Sequence, residues 1–193
     1  DEIVLTSGKS YSNVFHANGG SASFSVMANT LRGVYGTDVL LATANSFTGS
    51  VLQADYNQKM AASMIMPNGL MSRQRTMTGA ELKETVHAFV EGCEGGFVPF
   101  NRGSLPVVSG IAVEVKEASG SYTLTGITRN GQPLRDDDTV TVTCLAAENQ
   151  MEALLASDSG TSAGEDTWVK NTWRDYISGG AALAEPENYM TLR

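Results

Sequence analysis

"PNGLMSRQRTMTGAELKETV", Pro67 to Val86, is the stretch whose reading decides the fold. Asn68-Gly69 behind a proline is a tight-turn signal. "LMSRQRTM" alternates apolar and polar residues only roughly, with Met71, Arg73, Arg75 and Met77 on one face; a strand is the best reading. Thr78 and Glu81 have the spacing of a capping box, in which each side chain bonds the other's backbone N–H. Leu82, Val86, Phe89 and Val90 share one helical face, and Gly92, Gly95 and Gly96 close the helix. The stretch is a turn, a strand and a capped helix, all explained by folding physics. Whether the turn also holds a ligand has to be read from its surroundings.

Upstream, "EIVL" predicts a short strand, followed by a polar, glycine-rich loop ending in "HANGGSAS". "SGKS" at 7–10 lacks the earlier glycine of a phosphate-binding loop, because Ile3 stands there, and reads as a polar loop. Phe24, Met27, Leu31 and Val34 recur at helical spacing, with Ser21 or Ser23 as cap and Gly36 as stop. "DVLLATA" from Asp38 is a short apolar run that predicts a buried strand. "ADYNQKMAASM" reads as a weak helix. Downstream, "VVSGIAVEV", "YTLTGITR" and "DTVTVTCL" carry β-branched alternation, with Asn130-Gly131 at the tip of a turn. "AENQMEALLA" predicts a helix and "SDSGTSAGED" a flexible loop. Val169, Trp173, Tyr176 and Ile177 define a last amphipathic helix, and "NYMTLR" an edge strand. The mixture predicts an α+β (mixed α/β) fold, a mixed β-sheet with helices packed on it. The expected organisation is one domain over 1–193: a lead-in strand and loop at 1–20, a core at 20–180 and a tail at 181–193.

The 193 residues, 41% hydrophobic and 18% charged, are those of an ordinary globular chain. A net charge of −8 opposes a phosphate backbone, so no nucleic-acid partner is expected, although a local basic pocket for a small anion is compatible with the total. No apolar run is long enough to span a membrane. The chain starts at Asp1 without a signal peptide, which reads as a processed protein or a piece of something larger. Cys93 and Cys144 either pair or are two buried thiols.

Catalytic chemistry is hard to find. A metal site needs clustered His, Asp, Glu or Cys, and the histidines, His16 and His87, are far apart. His87 reads as an ordinary helical histidine, and Asp136, Asp137 and Asp138 as a solvated turn. No serine sits in a nucleophile-elbow pattern, and Cys93 has no activating partner in the sequence. The chain alone does not read as a self-sufficient enzyme.

The order "MANTLRGVYGTDVLL", "MPNGLMSRQRTMTGAELKETV", "GSLPVVSGIAVEVK", "GITRNGQPLRDDDTVTVTCL" resembles the C-terminal domain of bacterial 5'-nucleotidases. That family includes UDP-sugar hydrolases and 2',3'-cyclic-nucleotide phosphodiesterases, and the similarity runs over roughly residues 20–180. The resemblance implies the substrate-binding half of a phosphoester hydrolase of nucleotide catabolism. Its partner would be an N-terminal metallophosphatase domain holding the divalent metals, with no cofactor in this chain. The implied ligand is a nucleotide or nucleoside, and the implied location is extracellular, periplasmic or at the cell surface.

Carried over residue by residue, the ligand positions are altered. The family's Asn-Gly-Gly-Gly-Ile-Arg loop falls on "TANSFT", with Thr43 at the asparagine position and Thr48 at the arginine position. Asn45 substitutes if the loop is shifted. The Leu-Pro-Phe-Gly-Asn turn matches at Pro67 and Gly69, but Asn68 stands where a phenylalanine stacks on the base. A second stacking position falls near Ala147. Asn45, Asn68 and Gly69 are therefore the candidate substrate-binding residues, with no catalytic residue. Phe47, Phe97 and Phe100 are the aromatics available to rebuild a platform, and they read more readily as loop anchors. Arg73 and Arg75 are available charges that read as a solvated strand face. The alternative function is a non-catalytic binding or structural module of the bacterial cell surface that kept the fold and lost nucleotide recognition.

Overall fold

The computed structural model describes residues 2–13, 20–65, 69–91, 106–118, 121–156, 158–187 and 190–192. Along the chain, β1 (Ile3–Ser7) leads to α1 (Ala22–Tyr35), β2 (Val39–Thr43), a 3-10 turn (Ala44–Ser46), β3 (Ala54–Asn57), α2 (Gln58–Ala62), β4 (Leu70–Thr78) and α3 (Gly79–Glu91). Then come β5 (Pro106–Ser109), β6 (Ala112–Ala118), β7 (Ser121–Arg129), β8 (Gln132–Pro133), β9 (Thr139–Ala147) and α4 (Glu148–Leu154). The chain continues through β10 (Thr161–Ser162), β11 (Thr167–Trp168), α5 (Val169–Ser178), β12 (Ala181–Ala182) and β13 (Met190–Leu192).

The central sheet has the order β10-β4-β9-β2-β5, with β11 also on the outer edge of β4. β2 and β9 run parallel, and β4 and β5 run antiparallel to them, so the expected mixed sheet is present. Two smaller sheets have the orders β12-β1-β3 and β13-β6-β7-β8. The expected edge strand at the tail is β13, paired parallel with β6.

The central sheet is covered on both faces. Leu40 and Ala42 of β2 and Leu145 of β9 pack with α1 and α5 in one core. Val39 and Leu41, with Val140, Val142, Cys144 and Ala146, pack with α3, α4 and the β6–β7 hairpin in the other. This is why "VLLA" is apolar throughout: a strand covered on both faces has no solvent side on which to alternate.

The sequence signals for helix ends are realised. Ser21 accepts from Phe24 N at 3.5 Å at the start of α1, and Gly36 closes it with φ 67°. Glu81 accepts from Thr78 N at 2.7 Å while Glu81 N donates to Thr78 Oγ1 at 3.2 Å, the predicted capping box. The closing glycines of α3, from Gly92 on, lie outside the described residues.

Two expectations are corrected. The helix over "ADYNQKMAASM" is a strand followed by a short helix, because Ala54–Asn57 pairs antiparallel with β1, Leu5 opposite Tyr56. Asn57 then caps α2 by accepting from Met60 N at 3.0 Å. The loop "SDSGTSAGED" is partly a strand: Thr161 and Ser162 pair with Thr76 and Arg75. Pairing with a strand distant in sequence supplied what local propensity did not.

Asp38, just before β2, ties three elements together. It accepts from Thr141 N at 2.9 Å and Thr141 Oγ1 at 3.0 Å, and it pairs with Arg129. Burial pushes its carboxyl up, but the Thr141 hydrogen bonds and the Arg129 charge outweigh this and hold it below the ordinary 3.8. A carboxylate with a lowered folded-state pKa contributes stability above the ordinary value and loses it as pH falls through the folded one. Asp38→Asn is expected to cost about 1 kcal/mol at pH 7, water screening a side chain this exposed. The deficit relative to wild type should shrink below about pH 4, as the wild-type carboxyl protonates. Urea midpoints of both proteins at pH 7 and pH 3 check this; an unchanged gap would show that the charge on Asp38 does not contribute.

Candidate functional site at the carboxyl edge of the central sheet

The carboxyl ends of the parallel pair β2 and β9 lie at one edge of the central sheet. Leu41 is opposite Cys144, so Thr43 lies level with the end of β9. β4 begins at the same edge, with Leu70 opposite Ala147 and Glu148 N donating to Gly69 O at 3.2 Å. β5 starts there too, Pro106 opposite Thr43. The sheet thus brings together three segments that are far apart in sequence: the turn after β2, the entry to β4 and the exit from β9. In open α/β sheets, ligands bind beyond the carboxyl ends of strands, where such loops converge.

Of the predicted binding residues, Asn45 is exposed in the 3-10 turn after β2. Gly69 is half-buried at the entry to β4, and among the described residues no atom beyond its chain neighbours lies within 4 Å of where its Cβ would be. Packing therefore does not require glycine there, in contrast to Gly79, where a Cβ would lie 1.8 Å from Arg135 O. Asn68 lies outside the described residues, as do His16, Cys93, Phe97 and Phe100. Ser46, next to Asn45, is fully buried, and its hydroxyl has no hydrogen-bond partner among the described residues.

The other candidates are engaged in structure. Thr48 donates from Oγ1 to Ser63 O, and its N–H bonds Met64 O at 3.2 Å, so this residue ties the loop to the end of α2. Phe47 is buried, 6.0 Å from the Phe24 ring, and bridges to Ile65; it anchors the loop, as its sequence reading favoured. Ala147 offers no aromatic face.

The reading of Arg73 and Arg75 as a solvated face is corrected. Arg73 pairs with Glu152 at 2.8 Å and Asp166 at 2.9 Å and donates to Leu155 O at 2.8 Å. Arg75 is 6% exposed, and its Nε lacks a partner. α4 and the segment after it cover this face of β4, which the alternation of "LMSRQRTM" could not reveal. Cys144 is a free, fully buried thiol whose pKa burial pushes well up, the charges of Arg73 and Arg75 opposing this; it is not a reactive nucleophile.

Asp136 and Asp137 are exposed, as a solvated turn implies, and the turn's charges are paired at the surface. Asp136 pairs with Lys83 at 2.7 Å, and Asp138 accepts from Arg135 N at 2.9 Å, while the carbonyl of Asp138 receives Gly79 N at 2.7 Å. His87 is exposed on α3. Among the described residues, no group of three or more His, Cys, Asp or Glu side chains is placed to hold a metal ion. No helix among them is long and apolar enough to cross a membrane.

One residue at this edge escaped the sequence reading. Trp168 pairs with Met71, two residues into the strand that Gly69 opens, and is 41% exposed. Its signal was its place just before the last helix, off the stripe formed by Val169, Trp173 and Ile177.

The architecture is a mixed α/β fold, and solved structures identify it. The chain matches a 5'-nucleotidase precursor from Thermus thermophilus over 100% of its length and 39% of that chain, with TM-score 0.68 and 13% identity. It matches the NAD nucleotidase NadN of Haemophilus influenzae over 99% of its length and 37% of that chain, with TM-score 0.67 and 17% identity. The sulfate thiohydrolase SoxB of Thermus thermophilus, solved with glycerol, matches over 100% of this chain and 35% of its own, with TM-score 0.69 and 13% identity. The fold is that of the C-terminal domain of 5'-nucleotidase-like proteins, as the resemblance implied, and the chain spans roughly two-fifths of their length. No protein-family model matches the chain, and no curated protein matches it in sequence.

Proposed function

We propose that this chain is the substrate-binding domain of a 5'-nucleotidase-like phosphoester hydrolase acting outside the cytoplasm. Its metal chemistry would be supplied by an N-terminal metallophosphatase domain, and no cofactor would reside in this chain. The observation that carries the reading is the convergence of the three loops at the carboxyl edge of β2 and β9. Around that point stand Asn45 in solvent and Gly69, where no described residue fills the place of a side chain.

A second reading rests on a separate observation. Asn68 and Ala147 stand at the two stacking positions of the resembled family and neither is aromatic, while Thr48 and Phe47 are committed to holding the loop itself, which argues against a two-sided base clamp. A module that kept the fold for a different anion, or for a binding role without hydrolysis, follows from this. The fold accommodates both, since its neighbours include a sulfate thiohydrolase beside the nucleotidases.

Calorimetric titration of the chain with adenosine, AMP, UMP and UDP-glucose separates the readings. Binding at millimolar concentration or tighter is expected for at least one of them under the first reading, weakened by Asn45→Ala or Asn68→Ala. No heat from any of the four, with folded protein, would leave the second reading.

A further inference from the structure

A groove runs between α2 and α5. One lobe, about 390 Å³, is lined by Ala62, Trp168, Lys170, Asn171 and Arg174. The other, about 520 Å³, shares Ala62 and Arg174 and adds Lys59 and Glu2 among its charged residues. Three cations thus face one carboxylate on a chain whose net charge is −8. Lys170 and Arg174 are four residues apart on α5, a spacing at which like charges repel and weaken a helix. Neither Lys59 nor Arg174 has an ion-pair partner among the described residues; Arg174 only donates to Asn171 Oδ1 at 3.2 Å.

Trp168 adds an aromatic surface to this charge. The chain's two tryptophans differ sharply: Trp173 is 1% exposed and Trp168 is 41% exposed. A large ring left open beside cations is suited to stacking on a planar group. Its pairing with Met71 brings it to the end of β4 where the candidate loops converge.

We propose that this groove binds a small organic anion carrying a planar ring, with the ring on Trp168 and the anionic group held by Lys170, Arg174 and Lys59. The inference rests on the substrate-binding reading only in taking a nucleotide as the natural example of such an anion; it gives that reading a stacking surface in place of the missing clamp.

The test titrates 1-naphthyl phosphate, AMP and inorganic phosphate into the full 193-residue chain. The same probes are titrated into Trp168→Ala, Arg174→Glu and Lys59→Glu, each first checked for an unchanged denaturation midpoint. Naphthyl phosphate is expected to bind more tightly than phosphate, with Trp168→Ala and Arg174→Glu each weakening it by about tenfold or more. Lys59 lies exposed on α2, so Lys59→Glu keeps the test open if a change on α5 disturbs folding. Naphthyl phosphate binding that the groove variants reduce, without AMP binding, supports the groove and removes the nucleotide. AMP binding that no groove variant alters overturns the groove and leaves the substrate-binding reading standing. No binding of either ring-bearing probe overturns the groove.

Discussion

Gly110→Ala is expected to destabilise the chain by about 4 kcal/mol, adding a methyl group against backbone at a left-handed position. Gly110 has φ 83°, and a Cβ there would lie 2.0 Å from Asp38 O and 3.1 Å from the Arg32 side chain. The conflict cannot be relieved by rotating a side chain, because the nearer atom is a carbonyl of the segment leading into β2. Neighbouring groups are fixed as well: Ser109 Oγ bonds Asn29, and Arg32 Nε donates to Ser109 Oγ at 2.8 Å. Gly36→Ala provides the comparison. Its φ is 67°, yet nothing lies within 4 Å of the added carbon, so only the left-handed backbone cost of about 1 kcal/mol applies. Urea denaturation of the two variants checks the difference; equal losses would mean that the contact with Asp38 relaxes freely.

Trp173→Ala is the second large effect, about 4 kcal/mol, from the cavity left by a buried indole. Trp173 is 1% exposed in the core that α1 and α5 share on one face of the central sheet, and its ring lies 5.7 Å from that of Tyr176. Its Nε1–H donates to Ala61 O at 2.8 Å, so truncation also removes one of the two hydrogen bonds this carbonyl accepts, the other coming from Met64 N at 3.2 Å. Trp173→Phe should recover most of the packing and keep a deficit of about 1–2 kcal/mol for the lost hydrogen bond. Trp168→Ala should cost less, about 1 kcal/mol, because that residue is already partly in water at 41% exposure. Denaturation followed by circular dichroism measures all three; a small loss for Trp173→Ala would mean that α2 and α5 are not held together through this side chain.

These expectations bear on what the resemblance meant. The motifs that carried it serve packing. Ser109-Gly110 makes the close approach to Asp38, and Thr78, Gly79 and Glu81 form the capped start of α3 against the Arg135 carbonyl. Asn130 and Gly131, at φ 53° and 76°, make the hairpin turn that the Asn-Gly pair announced. Such motifs are legible because a positive φ, a cap or a backbone contact admits few residue types. They specify the fold and leave the ligand open, which agrees with neighbours as different as a nucleotidase and a sulfate thiohydrolase.

The sequence by itself determined the mixed sheet, the capped helices α1 and α3, the amphipathic α5, the doubly buried β2 and the hairpin turn. Each rests on periodicity or on a residue with one conformational use, and both act within a few neighbouring positions. Only the tertiary structure decided which elements share an edge or a face. Residues 54–57 became a strand because β1 lies beside them, and Arg73 left the solvent because α4 and the residue after it hold its guanidinium. Phe47 turned inward to Phe24, while Trp168 stayed in solvent beside Lys170 and Arg174. A local pattern encodes how a segment folds, but exposure and charge neighbours depend on segments tens of residues away. The fold was therefore readable from the residues, and the groove only from their arrangement.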